Sequence, residues 1–165
     1  LIRQWFAPKP VVTREVAATD ISISTAAVAD YRPARPAGQK IKKTESALDL
    51  ALERTTDVLA TVAARPDRPF VVGFAAETEN VEQNARTKLL RKNLDLIAAN
   101  EVGEGRAFDR EDNQLLLLWN GGSRELTLKS KAELARELGV STNSVFCARR
   151  NRGIPPPPRR IREVP

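Results

Sequence analysis

Apolar residues are most clearly ordered in the middle of the chain. A short apolar run at residues 70–72 ends at Gly73, and a second run at 95–99 ends at Asn100. Residues 79–92 between them have a helical composition. This order predicts a strand, a glycine turn, a helix and a second strand, with the two strands parallel. Because ligands bind beyond the carboxyl ends of parallel strands, residues 73–77 are the predicted ligand mouth.

Upstream of this unit, two further segments alternate between polar and apolar residues. Residues 20–25 predict a strand that runs into a loop of small residues at 26–30. Residues 48–53 alternate leucine with other residues and predict another strand. Thr55 or Thr56 can cap a following helix at 57–64.

Downstream, residues 113–119 form a strongly apolar strand pattern. The turn sequence Asn-Gly-Gly-Ser separates it from a second strand at 124–128, which predicts a β-hairpin. Residues 130–138 have the composition of a short helix, with Ser130 as its cap and Gly139 as its stop.

Together these elements predict an α/β fold with a Rossmann-like, three-layer parallel sheet and an added antiparallel β-hairpin. We divide the chain into an irregular segment at 1–19, a folded domain at 20–138 and a basic tail at 139–165. The tail is rich in proline and arginine, which is typical of a disordered or polyproline segment.

The composition indicates a globular protein with an anionic partner. Of its 165 residues, 41% are hydrophobic and 29% are charged, and the formal net charge is +6. A nucleotide, a nucleic acid or an acidic metabolite would all satisfy that charge. Aromatic residues make up only 5% of the chain, which weakens a model of base stacking on nucleic acid.

The residue types that are rare or missing limit the kinds of catalytic site and cross-link that the chain can form. The chain has no histidine, so Ser-His-Asp and Cys-His machinery cannot be built within it. Its single cysteine, Cys147, excludes an internal disulfide, and a cytoplasmic location is the simplest expectation. No apolar run approaches the length of a membrane span. An enzyme of this composition would rely on positioning and electrostatics.

Lysines provide the first candidate site residues. Lys40, Lys42 and Lys43 fall within four residues next to a proline-rich loop, and they could clamp phosphates or form a solvated face. Lys88 and Lys92 are four residues apart and so share one face of the predicted helix. The chain contains neither a Walker P-loop nor a GxGxxG motif.

Three sequence blocks, taken in order, resemble one family. They are AAVADYRPA at 26–34 with KIKK at 40–43, VVGFAAET at 71–78, and KLLRKNLDLIAAN at 88–100. From about residue 20 to 134, the chain resembles the phosphopantothenate–cysteine ligase half (phosphopantothenoylcysteine synthetase) of the bacterial bifunctional proteins of coenzyme A biosynthesis. The resemblance assigns a CTP-binding ligase domain to residues 20–138.

The resemblance implies a reaction, a metal and an assembly. The family joins 4′-phosphopantothenate to L-cysteine with CTP through an acyl-cytidylate, usually with Mg²⁺, and the protein ligands of that metal stay unknown in this chain. A homodimer formed with the help of the hairpin is implied as well. The family's flavin-dependent decarboxylase domain has no counterpart here, so we expect no FMN in this chain.

The resemblance also assigns roles to individual residues. Lys40 resembles a phosphate-binding lysine on a mobile flap and is the candidate catalytic residue. Backbone groups of Ala26 and Ala27 are expected to contact the acyl-cytidylate. The residues expected to bind CTP are Asp30, Lys40, Thr55, Thr56, Asp57, Val58, Phe74, Lys88 and Lys92.

The chain departs from the family pattern at two places. Thr56 stands where the family usually has proline, and the N-terminal half of the nucleotide fold has no counterpart before Asp20. The domain is therefore incomplete, or further residues belong to it. Two alternatives follow: a fragment or interaction module that cannot turn over, and a nucleic-acid-binding module that uses the basic tail.

Overall fold

The computed structural model describes residues 12, 16, 19–25, 28–39, 48–103 and 111–151. Seven strands and three helices of three residues or more lie in this part of the chain. The strands are β1 (Ile21–Ile23), β2 (Tyr31–Pro33), β3 (Leu52–Arg54), β4 (Phe70–Glu77), β5 (Leu96–Glu101), β6 (Asp112–Trp119) and β7 (Gly122–Ser130). The helices are α1 (Val58–Ala63), α2 (Val81–Arg91) and α3 (Lys131–Asn151).

Five of the strands form one mixed sheet in the order β1-β4-β5-β6-β7. β1 pairs parallel with β4, and β4 pairs parallel with β5, with Val72 opposite Leu96. β6 and β7 extend the sheet as an antiparallel hairpin whose turn contains Gly121 at a φ of 86°. The parallel βαβ unit and the added hairpin are confirmed.

The sheet separates two apolar clusters, because successive side chains of a strand point to opposite faces. On one face, Val71 and Ala75 of β4 pack with buried residues of α1 and α2. On the other face, Phe70 and Val72 pack with α3. This three-layer arrangement confirms the predicted fold class.

Gly73 does not form the predicted turn. β4 continues through it to Glu77, and Gly73 lies opposite Ile97 of β5. A Cβ atom at this position would lie 2.7 Å from a methyl group of Leu94 and 3.0 Å from one of Leu59. The glycine therefore allows α1 to pack closely on the strand, and the mouth of the sheet lies at the end of β4.

The segment before α1 also differs from the prediction. Of the alternating residues at 48–53, only Leu52 and Glu53 belong to a strand, which is β3. Leu48, Leu50 and Leu52 are all exposed, so their alternation does not mark a buried face. β3 pairs antiparallel with β2 in a separate two-stranded sheet. The alternation of residues 48–53 does not indicate with which other strand β3 pairs.

Helix α3 is longer than predicted. Ser130 and Glu133 form a reciprocal capping box at its start, as the predicted Ser130 cap requires. The helix then passes through Gly139 and ends at Asn151, so the stop at Gly139 is wrong. Packing of Phe146 against Phe70, with ring centroids 5.7 Å apart, stabilises the second half against the sheet. The predicted tail at 139–165 is thus helical over residues 139–151, which corrects that part of the prediction, and its remaining residues, 152–165, lie outside the described residues.

The N-terminal segment at 1–19 lies mostly outside the described residues. Its residue Val16 is buried in the apolar cluster on the α1 and α2 face of the sheet. Within the described ranges, no helix has the length and apolar character that crossing a membrane requires. The division of the chain into domains stays a prediction.

Candidate functional site

The carboxyl edge of the three parallel strands is the candidate site. β4 ends at Glu77 and β5 ends at Glu101, and these two residues are opposite each other in the sheet. The backbone N–H of Val102 donates to the carbonyl of Glu77 over 2.8 Å, which closes this edge. α2 begins four residues after Glu77, and α1 packs beside it. Lys88 of α2 contacts Glu77, so at least one helix side chain lies at the edge where ligands bind in such sheets.

Asp57 is the residue that caps α1. Its Oδ1 accepts a hydrogen bond of 3.0 Å from the backbone N–H of Ala60. We predicted that Thr55 or Thr56 would be the cap; that prediction is wrong, because the helix begins one residue after Asp57. The other carboxylate oxygen, Oδ2, lies 2.9 Å from Nζ of Lys92 at the end of α2. One carboxylate thus joins the start of one helix to the end of the other.

The surroundings of Asp57 favour its charged form. Partial burial raises the pKa of its carboxyl group, but the hydrogen bond from Ala60 and the charge of Lys92 oppose this effect. The net result is a pKa below the ordinary value of 3.8. Asp57 is therefore ionised near neutral pH, and its ion pair with Lys92 is intact there.

Lys88 forms the second ion pair of the site. Its Nζ lies 2.5 Å from Oε1 of Glu77 at the end of β4. Lys88 and Lys92 are one helical turn apart, and each meets a carboxylate from a different element. Lys88 lies within α2, whereas Lys92 is the residue that directly follows its last helical residue. The two lysines and two carboxylates together carry no net charge.

The loop after β1 is tied to the start of α1. The backbone N–H of Thr55 donates to the carbonyl of Asp30 over 2.9 Å, and the Thr55 hydroxyl donates to the carbonyl of Ala29. The structure therefore brings Asp30 next to the segment 55–58 that was predicted to bind the same ligand. Thr56 is exposed there and Val58 is half-buried. The charge of Asp30 also contributes to a raised pKa of Arg54, after the larger effect of Tyr31.

Phe74 lies on the other side of the sheet. It is half-buried and packs with Phe70, Val72 and α3, whereas Lys88 and Lys92 lie on the helix α2 side. The structure therefore does not bring its ring together with the two lysines. A contact from Phe74 to a bound base would have to form at the edge of the sheet, from the α3 face.

Three predicted site residues lie outside the described residues: Ala26, Ala27 and Lys40. Their predicted roles stay predictions. In the part of the chain that the structure describes, no three or more acidic, histidine or cysteine side chains are grouped in a way that could hold a metal ion.

Sequence reasoning missed two carboxylates. Glu77 was placed at the ligand mouth but was not predicted to be a site residue, because nothing local shows that it meets Lys88. Asp95 was read only as the start of an apolar run. Its buried carboxylate accepts two hydrogen bonds of 2.9 Å from Arg68 and one of 2.8 Å from the N–H of Val71, and it also pairs with Arg149. The sequence feature that could have indicated this buried network is the charged residue Asp95 directly before a fully apolar strand.

Comparison with known sequences identifies the family. The profile of the DNA/pantothenate metabolism flavoprotein C-terminal domain matches residues 9–144. The chain belongs to this family. The matched range includes all the residues predicted to bind CTP and most of α3. The resemblance drawn from the three sequence blocks is thereby confirmed.

Relatives of this family domain are found among bacterial proteins. The chain is 49% identical over 119 residues to the coenzyme A biosynthesis bifunctional protein CoaBC of Haemophilus influenzae. It is 46% identical over 132 residues to the CoaBC of Escherichia coli. These matches cover 72% and 77% of the chain but 30% and 32% of the relatives. The matched part of the chain thus spans about a third of their length.

A solved structure shows the same fold. The crystal structure of the C-terminal domain of CoaBC superposes with a TM-score of 0.64 at 33% sequence identity. The match covers 86% of this chain and 61% of that one. The α/β architecture described above is therefore the fold of that domain.

Proposed function

We propose that this chain is the CTP-binding ligase domain of a protein that joins 4′-phosphopantothenate to L-cysteine. The observation that carries the proposal is the pairing of Lys92 with Asp57 next to the pairing of Lys88 with Glu77. These contacts join the end of β4, helix α2 and the start of helix α1, which are the parts of the chain where the sequence blocks at 71–78 and 88–100 and the segment 55–58 lie. Family membership and CoaBC relatives that are 46–49% identical support the same function.

The proposed reaction has two displacement steps. The carboxylate of 4′-phosphopantothenate attacks the α-phosphorus of CTP, so that an acyl-phosphate bond forms and pyrophosphate leaves. The amine of cysteine then attacks the acyl carbon, an amide bond forms, and CMP leaves with the bonding electrons while the amine loses a proton. Neither step needs a protein nucleophile or a histidine. Both develop negative charge on phosphate oxygens, which fixed cations stabilise.

The described residues divide these tasks. Lys88 and Lys92 are ammonium groups that are each held by an ion pair, and they would bind the triphosphate. Asp30 would accept hydrogen bonds from the cytidine portion, and the backbone from Thr55 to Val58 would contact the nucleotide next to it. Phe74 would pack near the base from the other face of the sheet. Lys40 would bind phosphate from its flap, and Ala26 and Ala27 would hold the acyl-cytidylate.

Mg²⁺ enters this proposal with the nucleotide. The described residues do not supply a set of oxygen ligands for a metal held by the protein alone, since no group of three such side chains is present among them. Mg²⁺ is commonly bound through substrate phosphates, water and only one or two carboxylates. It would therefore arrive as part of the CTP complex, where it offsets phosphate charge.

A partial reaction tests the proposal. The full-length protein is given CTP and 4′-phosphopantothenate without cysteine, and pyrophosphate release is measured. Lys40→Ala should slow release about a hundredfold, because a lost transition-state contact typically costs that much. Lys88→Ala and Lys92→Ala should weaken CTP binding. Arg86→Ala is the matched control, because it removes a cation from the same helix where Glu82 is its partner.

Unchanged pyrophosphate release in all three lysine variants would reject the proposal. Replacing CTP with ATP in the same assay measures the nucleotide preference. Product formed by this chain alone would reject the alternative of a fragment that cannot turn over. We further propose a cytoplasmic homodimer in which the β6–β7 hairpin contributes to the interface; light scattering of the full-length protein tests its stoichiometry.

A further inference from the structure

We propose that Glu77 is a positioning residue that holds Lys88 in place for the phosphates of the nucleotide. The inference rests on the proposed function, because it takes Lys88 to be a phosphate-binding residue. Its basis is the 2.5 Å contact between Oε1 of Glu77 and Nζ of Lys88. The role of Glu77 is to act through this lysine and not to touch the reacting atoms.

The two partners are unequally buried. The side chain of Glu77 is 12% exposed, whereas that of Lys88 is 37% exposed. An unpaired carboxylate at such a depth is costly, so Glu77 requires a cation beside it. Of the two side chains, that of Lys88 is the more accessible to solvent. The pair therefore remains formed when an anion approaches, and Lys88 is the partner that can reach it.

The ammonium group has enough donors for both partners. It carries three N–H groups, and the contact with Glu77 needs one of them. Two N–H groups remain for phosphate oxygens. A flexible lysine loses side-chain entropy when it binds an anion, and a lysine already held by a carboxylate loses less.

Both ends of the pair are attached to rigid backbone. Glu77 lies opposite Glu101 in the sheet, and its carbonyl accepts the N–H of Val102. Lys88 lies on α2 between Ala85 and Leu89, which are both buried. The position of Nζ is thus defined by the sheet on one side and by the helix core on the other.

The pairing of Lys92 with Asp57 has the opposite distribution of exposure between acid and lysine. There the carboxylate is 45% exposed and the lysine is 24% exposed, so the more accessible partner is the acid. Asp57 also caps α1, which means that its removal changes helix stability as well as the ion pair. Glu77 is therefore the cleaner residue on which to test positioning.

The test is a double-mutant cycle on the full-length protein, with binding of CTP and of inorganic pyrophosphate measured by calorimetry. Glu77→Gln keeps the size of the side chain and removes its charge. We expect it to weaken binding of both probes about tenfold, comparable to the loss of one charge-assisted hydrogen bond. In a Lys88→Ala background the same substitution should have almost no further effect.

Glu82→Gln is the matched control. It makes the same change of charge at the second residue of α2, where the carboxylate is the partner of Arg86 on the exposed face of the helix. Both variants lose one negative charge, so the long-range effect of that loss should be similar in the two. We expect Glu82→Gln to leave CTP binding unchanged or slightly tighter. Weaker binding in Glu77→Gln alone would then be the local effect of losing the contact with Lys88. Thermal unfolding of each variant, measured in parallel, reports whether the fold is retained.

Three results would overturn the inference. Tighter binding in Glu77→Gln would mean that Glu77 competes with the anion for Lys88. An equal loss in the wild-type and Lys88→Ala backgrounds would mean that Glu77 acts elsewhere. Unchanged binding would mean that it has no role. By contrast, normal CTP binding by Lys88→Ala itself would reject the proposed site and not only the role of Glu77.

Discussion

Lys92, at the end of helix α2, is joined to Asp57, the cap of helix α1, by an ion pair of 2.9 Å. The same carboxylate accepts the hydrogen bond that begins α1. Helix stability and the placement of a candidate phosphate-binding cation are therefore coupled through one side chain. Changes at Asp57 should affect both properties, and they can be separated by the choice of substitution.

Replacing Asp57 should lower the free energy of unfolding. Asp57→Ala removes both the cap and the ion pair, and we expect a loss of about 1 kcal/mol, the usual value for a lost cap. Asp57→Asn keeps an oxygen that can accept from Ala60 and should lose less. Urea unfolding measures both values. Equal losses would show that the ion pair, and not the cap, is the stabilising contact.

The stability contribution of Asp57 should depend on pH. Because its folded-state pKa is lowered, the charged form stabilises the fold above the unfolded pKa, near 3.8, and this contribution is lost as the pH falls through the lower folded value. Unfolding of the wild type and of Asp57→Asn should be compared between about pH 6 and pH 3. Their difference in unfolding free energy should stay constant in the upper range and shrink below pH 3.8. A difference that grows on acidification would contradict the direction of the shift.

Two glycines should respond in opposite ways to alanine. Gly73→Ala would place a methyl group 2.7 Å from Leu94, and overpacking of this kind costs about 1–3 kcal/mol. Gly139→Ala meets nothing within 4 Å on the surface of α3 and should stabilise that helix by about 0.5–1 kcal/mol. Chemical unfolding of both variants gives the comparison. Stabilisation by both would mean that the leucines around Gly73 move aside freely.

Removal of the Asp95 carboxylate should be severely destabilising. Asp95 is buried between Arg68 and Arg149 and also accepts the N–H of Val71. We expect Asp95→Ala to lose about 3–5 kcal/mol of unfolding free energy, because two arginines are left without their partner. Arg149→Ala should lose less, since Arg68 still pairs with the carboxylate.

An exposed ion pair provides the control for that comparison. Glu82→Gln breaks the pair with Arg86 at the surface of α2, where the expected loss is below about 1 kcal/mol. If Asp95→Ala and Glu82→Gln had similar effects, the buried network would not anchor α3 to the sheet.

The elements themselves could largely be predicted from local patterns. The apolar runs before Gly73 and before Asn100, with a helical segment between them, predicted the parallel unit that the sheet contains. The Asn-Gly-Gly-Ser sequence predicted the hairpin turn at Gly121. Such patterns succeed because strand and helix periodicity depend on neighbours within a few residues.

The errors at Gly73 and Gly139 both involve contacts between distant residues. Gly73 looked like a turn, but its position is explained by Leu59 and Leu94 packing over it. Gly139 looked like a helix stop, but Phe146 packs on Phe70 and extends the helix beyond it. In each case tertiary packing outweighed a local preference of about 1 kcal/mol.

By itself the sequence determined the α/β class, the order of the central elements and the family, because periodicity and three ordered motifs are local properties of the chain. It also predicted that Lys88 and Lys92, four residues apart, would lie near each other. Only the tertiary structure decided that Lys88 meets Glu77 and that Lys92 meets Asp57. These partners come from separate elements, and a carboxylate and an ammonium group are matched only once the helices have packed on the sheet.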